Sequence, residues 1–169
     1  MKLFSIRCIL WLTVIGIAGE GSGQLVKSEH FWLGVSSTAF GPTSNAINDI
    51  LVVGDDVWFA AGGGLSRTGD NGETWMSYTH ADGLGKGGVS AIDERNGVIW
   101  VATAFDTVVV EGETLPAGGG LSYSTDDGET WHWIPQPVDS RDEMAYSPTT
   151  TNVQNLTYDI ALTDSAVWI

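Results

Sequence analysis

The chain has 169 residues, a formal net charge of −14 and a single cysteine, Cys8. The length allows one ordinary domain. Because a phosphate backbone needs a positive patch, the acidic balance argues against nucleic-acid binding, and for the same reason against an anionic membrane surface. Calcium, cationic partners and neutral glycans stay open.

The first 23 residues are typical of a secretory signal peptide. Lys2 and Arg7 form a basic start, an apolar run follows from Cys8 to Ala18, and small residues come next. This run is too short for a spanning helix, which needs about 20 residues. Cleavage after Gly19 and after Gly23 both fit, so we expect a secreted or periplasmic protein. Cleavage would remove Cys8, the single cysteine, so the mature chain could form no disulfide and would offer no thiolate for catalysis.

The remaining segment, 24–169, is organised by internal repeats. The sequence GGGLSRTGDNGETW at 62–75 returns as GGGLSYSTDDGETW at 118–131. An alternating apolar strand, a turn and a Trp-bearing strand precede each copy, and a third such opening ends at Ile169. Four short antiparallel strands per repeat are the pattern of a propeller blade. We predict an all-β fold, an incomplete β-propeller of four-stranded antiparallel blades with about two and a half blades.

Blade boundaries follow from the spacing of three tryptophans. Trp58 and Trp100 lie 42 residues apart and Trp100 and Trp168 lie 68 apart, so insertions separate the later copies. The predicted blades are 47–79, 89–134 and the start of a third at 156–169, with inserted loops at 103–117 and 135–155. We interpret the three tryptophans as packing between blades. Because Ile169 falls within a predicted strand, we expect the remaining blades to follow in a longer chain.

The pattern Ser/Thr-x-Asp-x-Gly-x-Thr-Trp occurs once in each full repeat. Its residues are Thr68, Asp70, Gly72, Thr74 and Trp75, and then Ser124, Asp126, Gly128, Thr130 and Trp131. This pattern resembles the Asp-box, or BNR repeat, of sialidases, sortilin-like receptors, xyloglucan hydrolases and photosystem assembly factors of the propeller type. We predict a turn in which the Asp accepts backbone hydrogen bonds, Gly adopts a positive φ and Trp covers the turn. The ten residues are interpreted as structural.

A candidate site lies in the two inserted loops, which we expect at the end of the blades opposite the Asp-boxes. Long loops on a rigid scaffold often carry binding groups. The candidate residues are Asp106, Glu111, Glu113, Asp139, Arg141, Asp142, Glu143 and Tyr146. Such carboxylates suit glycoside hydrolysis or Ca²⁺ binding, and the alternative is a solvated loop without function. We assign no metal site and no cofactor.

Three functions remain open. Sialidases use an arginine cluster and an Arg-Ile-Pro segment, and no arginine here stands in such a segment, so the resemblance does not imply sialidase activity. The leading hypothesis is a non-catalytic propeller that binds a glycan or protein ligand or acts as a scaffold. The alternatives are the N-terminal part of a secreted glycoside hydrolase, sialidase-like or xyloglucanase-like in fold, and the periplasmic sensor of a membrane regulator. We predict no membrane span in this chain.

Overall fold

The computed structural model describes residues 41–110, 112–139 and 149–169. The predicted signal peptide at 1–23 lies outside the described residues. So do five members of the candidate loop site, namely Glu111, Arg141, Asp142, Glu143 and Tyr146. Within the described ranges, no helix is long and apolar enough to cross a membrane.

The described chain consists of β-strands and one short 3₁₀ helix at His80–Asp82. The first sheet contains β1 (Ile47–Val53), β2 (Asp56–Ala61), β3 (Gly64–Thr68) and β4 (Met76–Tyr78). The second contains β5 (Gly88–Arg95), β6 (Val98–Val110), β7 (Glu113–Ser124) and β8 (His132–Ile134). A final hairpin pairs β9 (Ala161–Leu162) with β10 (Val167–Trp168). The predicted all-β class with four-stranded antiparallel sheets is confirmed.

The strands pair in the same register within each of the two sheets. Trp58 on β2 pairs with Arg67 on β3, and Trp100 on β6 pairs with Tyr123 on β7. An irregularity in the first strand pair recurs at the same place, between Ile47 and Asp49 in the first sheet and between Val89 and Ala91 in the second. The first strand pair of each sheet is therefore interrupted at the equivalent position.

The prediction of an inserted loop at 103–117 is wrong. Strand β6 continues to Val110 and β7 begins at Glu113, and the two stay paired, with Thr107 opposite Leu115. The β-branched residues of this segment favour an extended backbone. Gly112, with a φ of 86°, supplies the turn conformation that a side chain would resist. The extra residues therefore lengthen a hairpin.

The second predicted insertion, 135–155, contains no strand in its described parts, 135–139 and 149–155. Two contacts hold its base. The backbone N–H of Asp139 donates to the carbonyl of Thr149 at 2.8 Å. Val153 forms an isolated bridge with Ala117 on β7. The base of this connection is therefore attached to the edge of the second sheet.

The core lies between stacked sheets. The first cluster joins the two sheets and contains Trp58, Ala60, Leu65, Tyr78, Leu84, Val89, Ile92, Ile99, Val101 and Trp131. The second lies on the other face of the second sheet and contains Ala91, Ala102, Leu121 and Ile160. Alternation along β6 explains the arrangement, because Ile99 and Val101 face the first sheet while Trp100 and Ala102 face the final hairpin.

Hydrogen bonds between successive units repeat as well. Nδ2 of Asn48 donates to the carbonyl of Val89 at 2.7 Å. Oγ of Ser90 donates to the carbonyl of Thr157 at 2.7 Å. Asn48 and Ser90 occupy equivalent positions in β1 and β5, so the same contact connects the first sheet to the second and the second to the segment before the final hairpin.

Candidate functional site

We name the turns at 68–75 and 124–131 Asp-box turns after their residue pattern alone. The first of them is held by its own side chains. Oδ1 of Asp70 accepts hydrogen bonds from the backbone N–H of Thr74 at 2.8 Å and from Oγ1 of Thr68 at 3.0 Å. Oδ2 accepts from Oγ1 of Thr74 at 2.6 Å. The backbone N–H of Gly72 donates to Oγ1 of Thr68 at 2.9 Å, and Gly72 has a φ of 88°.

The second turn has the same bonds. Oδ1 of Asp126 accepts from the backbone N–H of Thr130 at 2.9 Å and from Oγ of Ser124 at 2.7 Å. Oδ2 accepts from Oγ1 of Thr130 at 2.5 Å. Hydrogen bonds to a carboxylate favour its charged form. Those from Thr130, with a smaller contribution from Ser124, lower the pKa of Asp126 to about 2, and those from Thr74 lower the pKa of Asp70.

The two turns differ in what lies against them. The indole nitrogen of Trp75 donates to the carbonyl of Gly72 within its own turn at 3.0 Å. Trp131 instead packs edge-on against Trp58 and Tyr78, with ring centroids 6.5 and 5.7 Å away. The second Asp-box turn is thus part of the contact between the two sheets.

Arg67 connects the same two sheets. Its Nη2 pairs with Oδ2 of Asp56 at 2.5 Å, and its Nη1 donates to the carbonyl of Asp127 at 2.8 Å. The guanidinium lies 5.0 Å from the ring centroid of Trp58. The hydrogen bond to Asp56 is the main cause of the raised pKa of Arg67.

The described members of the candidate loop site lie in different settings. Asp106 on β6 and Glu113 on β7 are exposed on the extended hairpin. Asp139 is exposed at the base of the second insertion, where its Oδ2 accepts the backbone N–H of Thr149 at 2.9 Å. In the described parts of the chain, no group of three or more Asp, Glu, His or Cys side chains is arranged to hold a metal ion.

A groove of about 610 Å³ lies at the end of the second sheet opposite its Asp-box turn. It is lined by residues from the connection between the sheets, from β6, the middle of β7 and β8, and from the base of the second insertion. The side chains that define its chemistry are Lys86, Phe105, Trp133, Gln136, Thr151 and Asn152. Because these residues are far apart in the sequence, only the folded chain brings them together.

Trp133 is the largest exposed side chain of the groove. It is 53% exposed, yet its indole nitrogen donates to the carbonyl of Gly119 at 2.8 Å. A Cβ atom on Gly120, the next residue, would lie 2.6 Å from this indole nitrogen, so glycine at 120 leaves the space that the indole occupies. The hydrogen bond restrains an indole that presents an apolar face to solvent.

Gln136 is buried beside Trp133, with 8% of its surface exposed. Its Nε2 donates to Oδ1 of Asn155 at 3.4 Å and to Oγ1 of Thr157 at 3.3 Å. Oδ1 of Asn155 fixes the orientation of the amide, because that oxygen cannot donate and therefore requires the nitrogen of Gln136. Oε1 has no hydrogen-bond partner in the described residues.

Lys86 supplies the positive charge of the groove. Its Nζ lies 4.1 Å from the ring centroid of Phe105. The two arginines of the described residues are ion-paired, Arg67 with Asp56 and Arg95 with Asp164. Nearby, Nδ1 of His80 lies 2.8 Å from the carbonyl of Leu84, so a neutral His80 carries its proton on Nδ1 and offers Nε2 as an acceptor.

Our sequence analysis did not identify this groove. A comparison of the two repeats contains a usable signal, since Trp133 occupies the place of Ser77, and Gln136 occupies that of His80. A large aromatic residue that replaces an exposed serine in one repeat has no role in the shared framework. The hydrogen bond between Trp133 and the carbonyl of Gly119 forms only when the chain folds.

No protein-family model matches the sequence, and a comparison with curated proteins finds no significant relative.

Proposed function

We propose that this chain is part of an exported β-propeller that acts as a binding module. The Asp-box resemblance and the pattern of residues 1–23 support the fold family and the export. The main support for the proposed architecture is that successive units stack through equivalent faces. Ile92 on β5 packs against the first sheet, and Ile160, at the equivalent position before β9, packs against the second.

One face of the first sheet supports further stacking. Ile50 and Val52 on this face are 54% and 65% exposed, next to the partly buried pair Phe59 and Trp75. In the second sheet the equivalents of Ile50 and Trp75 are Ile92 and Trp131, and both are buried against the first sheet. A further unit stacked on this face would bury the apolar surface in the same way, as in a propeller.

The binding role is supported by the groove around Trp133. It lies at the end of the sheets formed by connections of variable length, where a rigid scaffold commonly presents ligand-binding groups. It also combines an aromatic face with a few polar side chains, which is typical of ligand sites.

One experiment on the purified full chain distinguishes a binding role from a catalytic role. Cellohexaose, mannohexaose and chitohexaose are tested by isothermal titration calorimetry and, in parallel, for release of new reducing ends. The proposal predicts binding without bond cleavage. Release of reducing ends by the protein would reject the binding role and favour a glycoside hydrolase.

Export is tested by expressing the chain with residues 1–23 in place and determining the mass of the product outside the cytoplasm. We expect a chain that begins at Glu20 or at Gln24, according to the two cleavage sites that fit the sequence. A product of full mass retained in the cytoplasm would contradict this part of the proposal.

A further inference from the structure

We propose that the groove around Trp133 binds a neutral carbohydrate, with one sugar ring stacked on the indole. This inference rests on the proposed binding role and assigns it a site and a ligand class. The groove is defined by Lys86, Phe105, Trp133, Gln136, Thr151 and Asn152.

The first argument is the state of the indole. An exposed aromatic ring that is free to rotate must be ordered when a ligand binds, which costs affinity. The hydrogen bond from Nε1 of Trp133 to the carbonyl of Gly119 restrains the ring before any ligand arrives. Its exposed face is apolar, and a pyranose ring also has an apolar face formed by its C–H groups. Stacking the two removes apolar surface from water on both sides.

The second argument is the set of polar groups beside the indole. Oε1 of Gln136 is an acceptor without a partner in the described residues, although its side chain is more than nine-tenths buried. A buried acceptor normally has a partner, but this oxygen is itself closed to solvent, so an O–H of a ligand in the groove reaches it only if the amide moves. Nδ2 of Asn152 donates to the carbonyl of Gly118 at 3.1 Å, which holds the amide at the groove. Nζ of Lys86 adds donors. Sugar hydroxyl groups can use donors and acceptors of both kinds.

The third argument is charge, which favours a neutral ligand over an anionic one. The chain has a net charge of −14, and the local cation Lys86 lies on the ring of Phe105. The net negative charge of the protein would repel a polyanionic ligand. A neutral sugar is neither attracted nor repelled by that charge. A neutral hydroxyl-rich ligand with an apolar face therefore fits the groove better than an anionic ligand.

The test measures the affinity of the full chain for cellohexaose, mannohexaose and chitohexaose, in parallel with the Trp133→Ala and Trp133→Phe variants. The matched control is Trp168→Ala, because Trp168 is also exposed, at 63%, and does not line the groove. We expect at least one hexasaccharide to bind. Trp133→Ala should weaken it on the order of tenfold or more, as for a central aromatic contact. Trp133→Phe should retain more affinity than Trp133→Ala because a ring remains, and Trp168→Ala should bind like the parent.

Several outcomes would overturn the inference. Binding of a hexasaccharide that Trp133→Ala leaves unchanged would place the glycan elsewhere, and the binding role would stand without this site. If none of the three hexasaccharides binds at millimolar concentration, the inference that the groove binds a neutral carbohydrate is rejected. If phage-displayed random peptides bind and Trp133→Ala abolishes that binding, the groove belongs to a peptide. Reducing-end release would instead reject the proposed function itself. Circular dichroism of each variant establishes that it is folded.

Discussion

A Cβ atom placed on Gly128 would lie 2.9 Å from Cη2 of Trp58, so the second Asp-box turn rests directly on the Trp-bearing strand of the first sheet. Such a distance is too short for ordinary packing, and 3.2 Å to Oη of Tyr78 is also tight. The glycine therefore serves both the turn and the contact between two sheets. Gly72, at the same place in the first Asp-box, serves the turn alone, since the nearest atom to its Cβ would be Cζ2 of Trp75 at 3.5 Å.

This difference predicts unequal effects of the same substitution. Gly72 and Gly128 both have a φ of 88°, so alanine at either position should cost about 1–2 kcal/mol of strain in the left-handed region. Gly128→Ala should cost a further 1–3 kcal/mol, approximately, because Trp58 and Tyr78 must move. Urea denaturation of both variants measures the difference. Equal losses of stability would show that the inter-sheet contact is not sensitive to this position.

The lowered pKa of Asp126 predicts a pH dependence of stability. The carboxylate has a folded pKa of about 2, below its ordinary value of 3.8. Its stabilising contribution is therefore complete above the ordinary value and is lost as the pH falls towards about 2. Asp126→Asn, which cannot ionise, should be less stable than the parent at neutral pH, and the difference should shrink in that acidic interval.

Asp127→Asn is the matched control for Asp126→Asn. It removes the same charge from the neighbouring residue, and asparagine tolerates the positive φ of 55° found at Asp127. No side-chain hydrogen bond of Asp127 is seen in the described residues. Denaturant midpoints measured from neutral pH down to about pH 2 compare the three proteins. A difference between parent and Asp126→Asn that does not change across this range would contradict the role of the carboxylate.

Trp58 and Trp168 occupy equivalent places in their repeats and should differ strongly in importance. Trp58 is 1% exposed and belongs to the core between the two sheets, whereas Trp168 is 63% exposed. We expect Trp58→Ala to lose about 3–5 kcal/mol of unfolding free energy through the cavity that it leaves. Trp168→Ala should change it by about 0.5 kcal/mol or less. Thermal and denaturant unfolding measure both. A similar loss in the two variants would show that Trp168 is also buried in solution.

Arg67 and Arg95 form another matched pair. Arg67 bonds to Asp56 and to the carbonyl of Asp127 and lies over Trp58, while Arg95 pairs with an exposed Asp164. Methionine keeps the apolar stem and removes the charge. Arg67→Met should cost about 1–2 kcal/mol because two sheets lose a shared hydrogen-bond donor. Arg95→Met should cost well under about 1 kcal/mol, since an exposed ion pair contributes little. A larger loss at Arg95 in urea denaturation would refute this ranking.

The strand framework was predictable because it depends on short-range patterns. The all-β class with four-stranded antiparallel sheets could be predicted because strands alternate apolar residues and turns need Gly, Asn or Asp. The segment 103–117 was not predictable in the same way. Counting residues between repeats locates an insertion, but it does not determine whether the extra residues form a loop or lengthen a pair of strands.

The groove depended on contacts between distant parts of the chain. The exposed indole of Trp133 is restrained by Gly119, and Gln136 is oriented by Asn155 and Thr157. None of these three neighbours can be identified from the residues adjacent to Trp133 or Gln136. A comparison of the two repeats does show Trp133 in the place of Ser77, which marks a departure from the shared framework and nothing more.

The sequence by itself determined the features that arise within a few residues: the strands, the turns and the hydrogen bonds of each Asp-box, where Asp70 and Thr74 are only four positions apart. The tertiary structure alone decided how equivalent residues differ. Trp131 is buried against Trp58, while Trp75 bonds back to its own turn, and the two are surrounded by nearly identical sequences. The physical reason is that local bonding is set by neighbours along the chain, whereas burial is set by whichever sheet packs against that face.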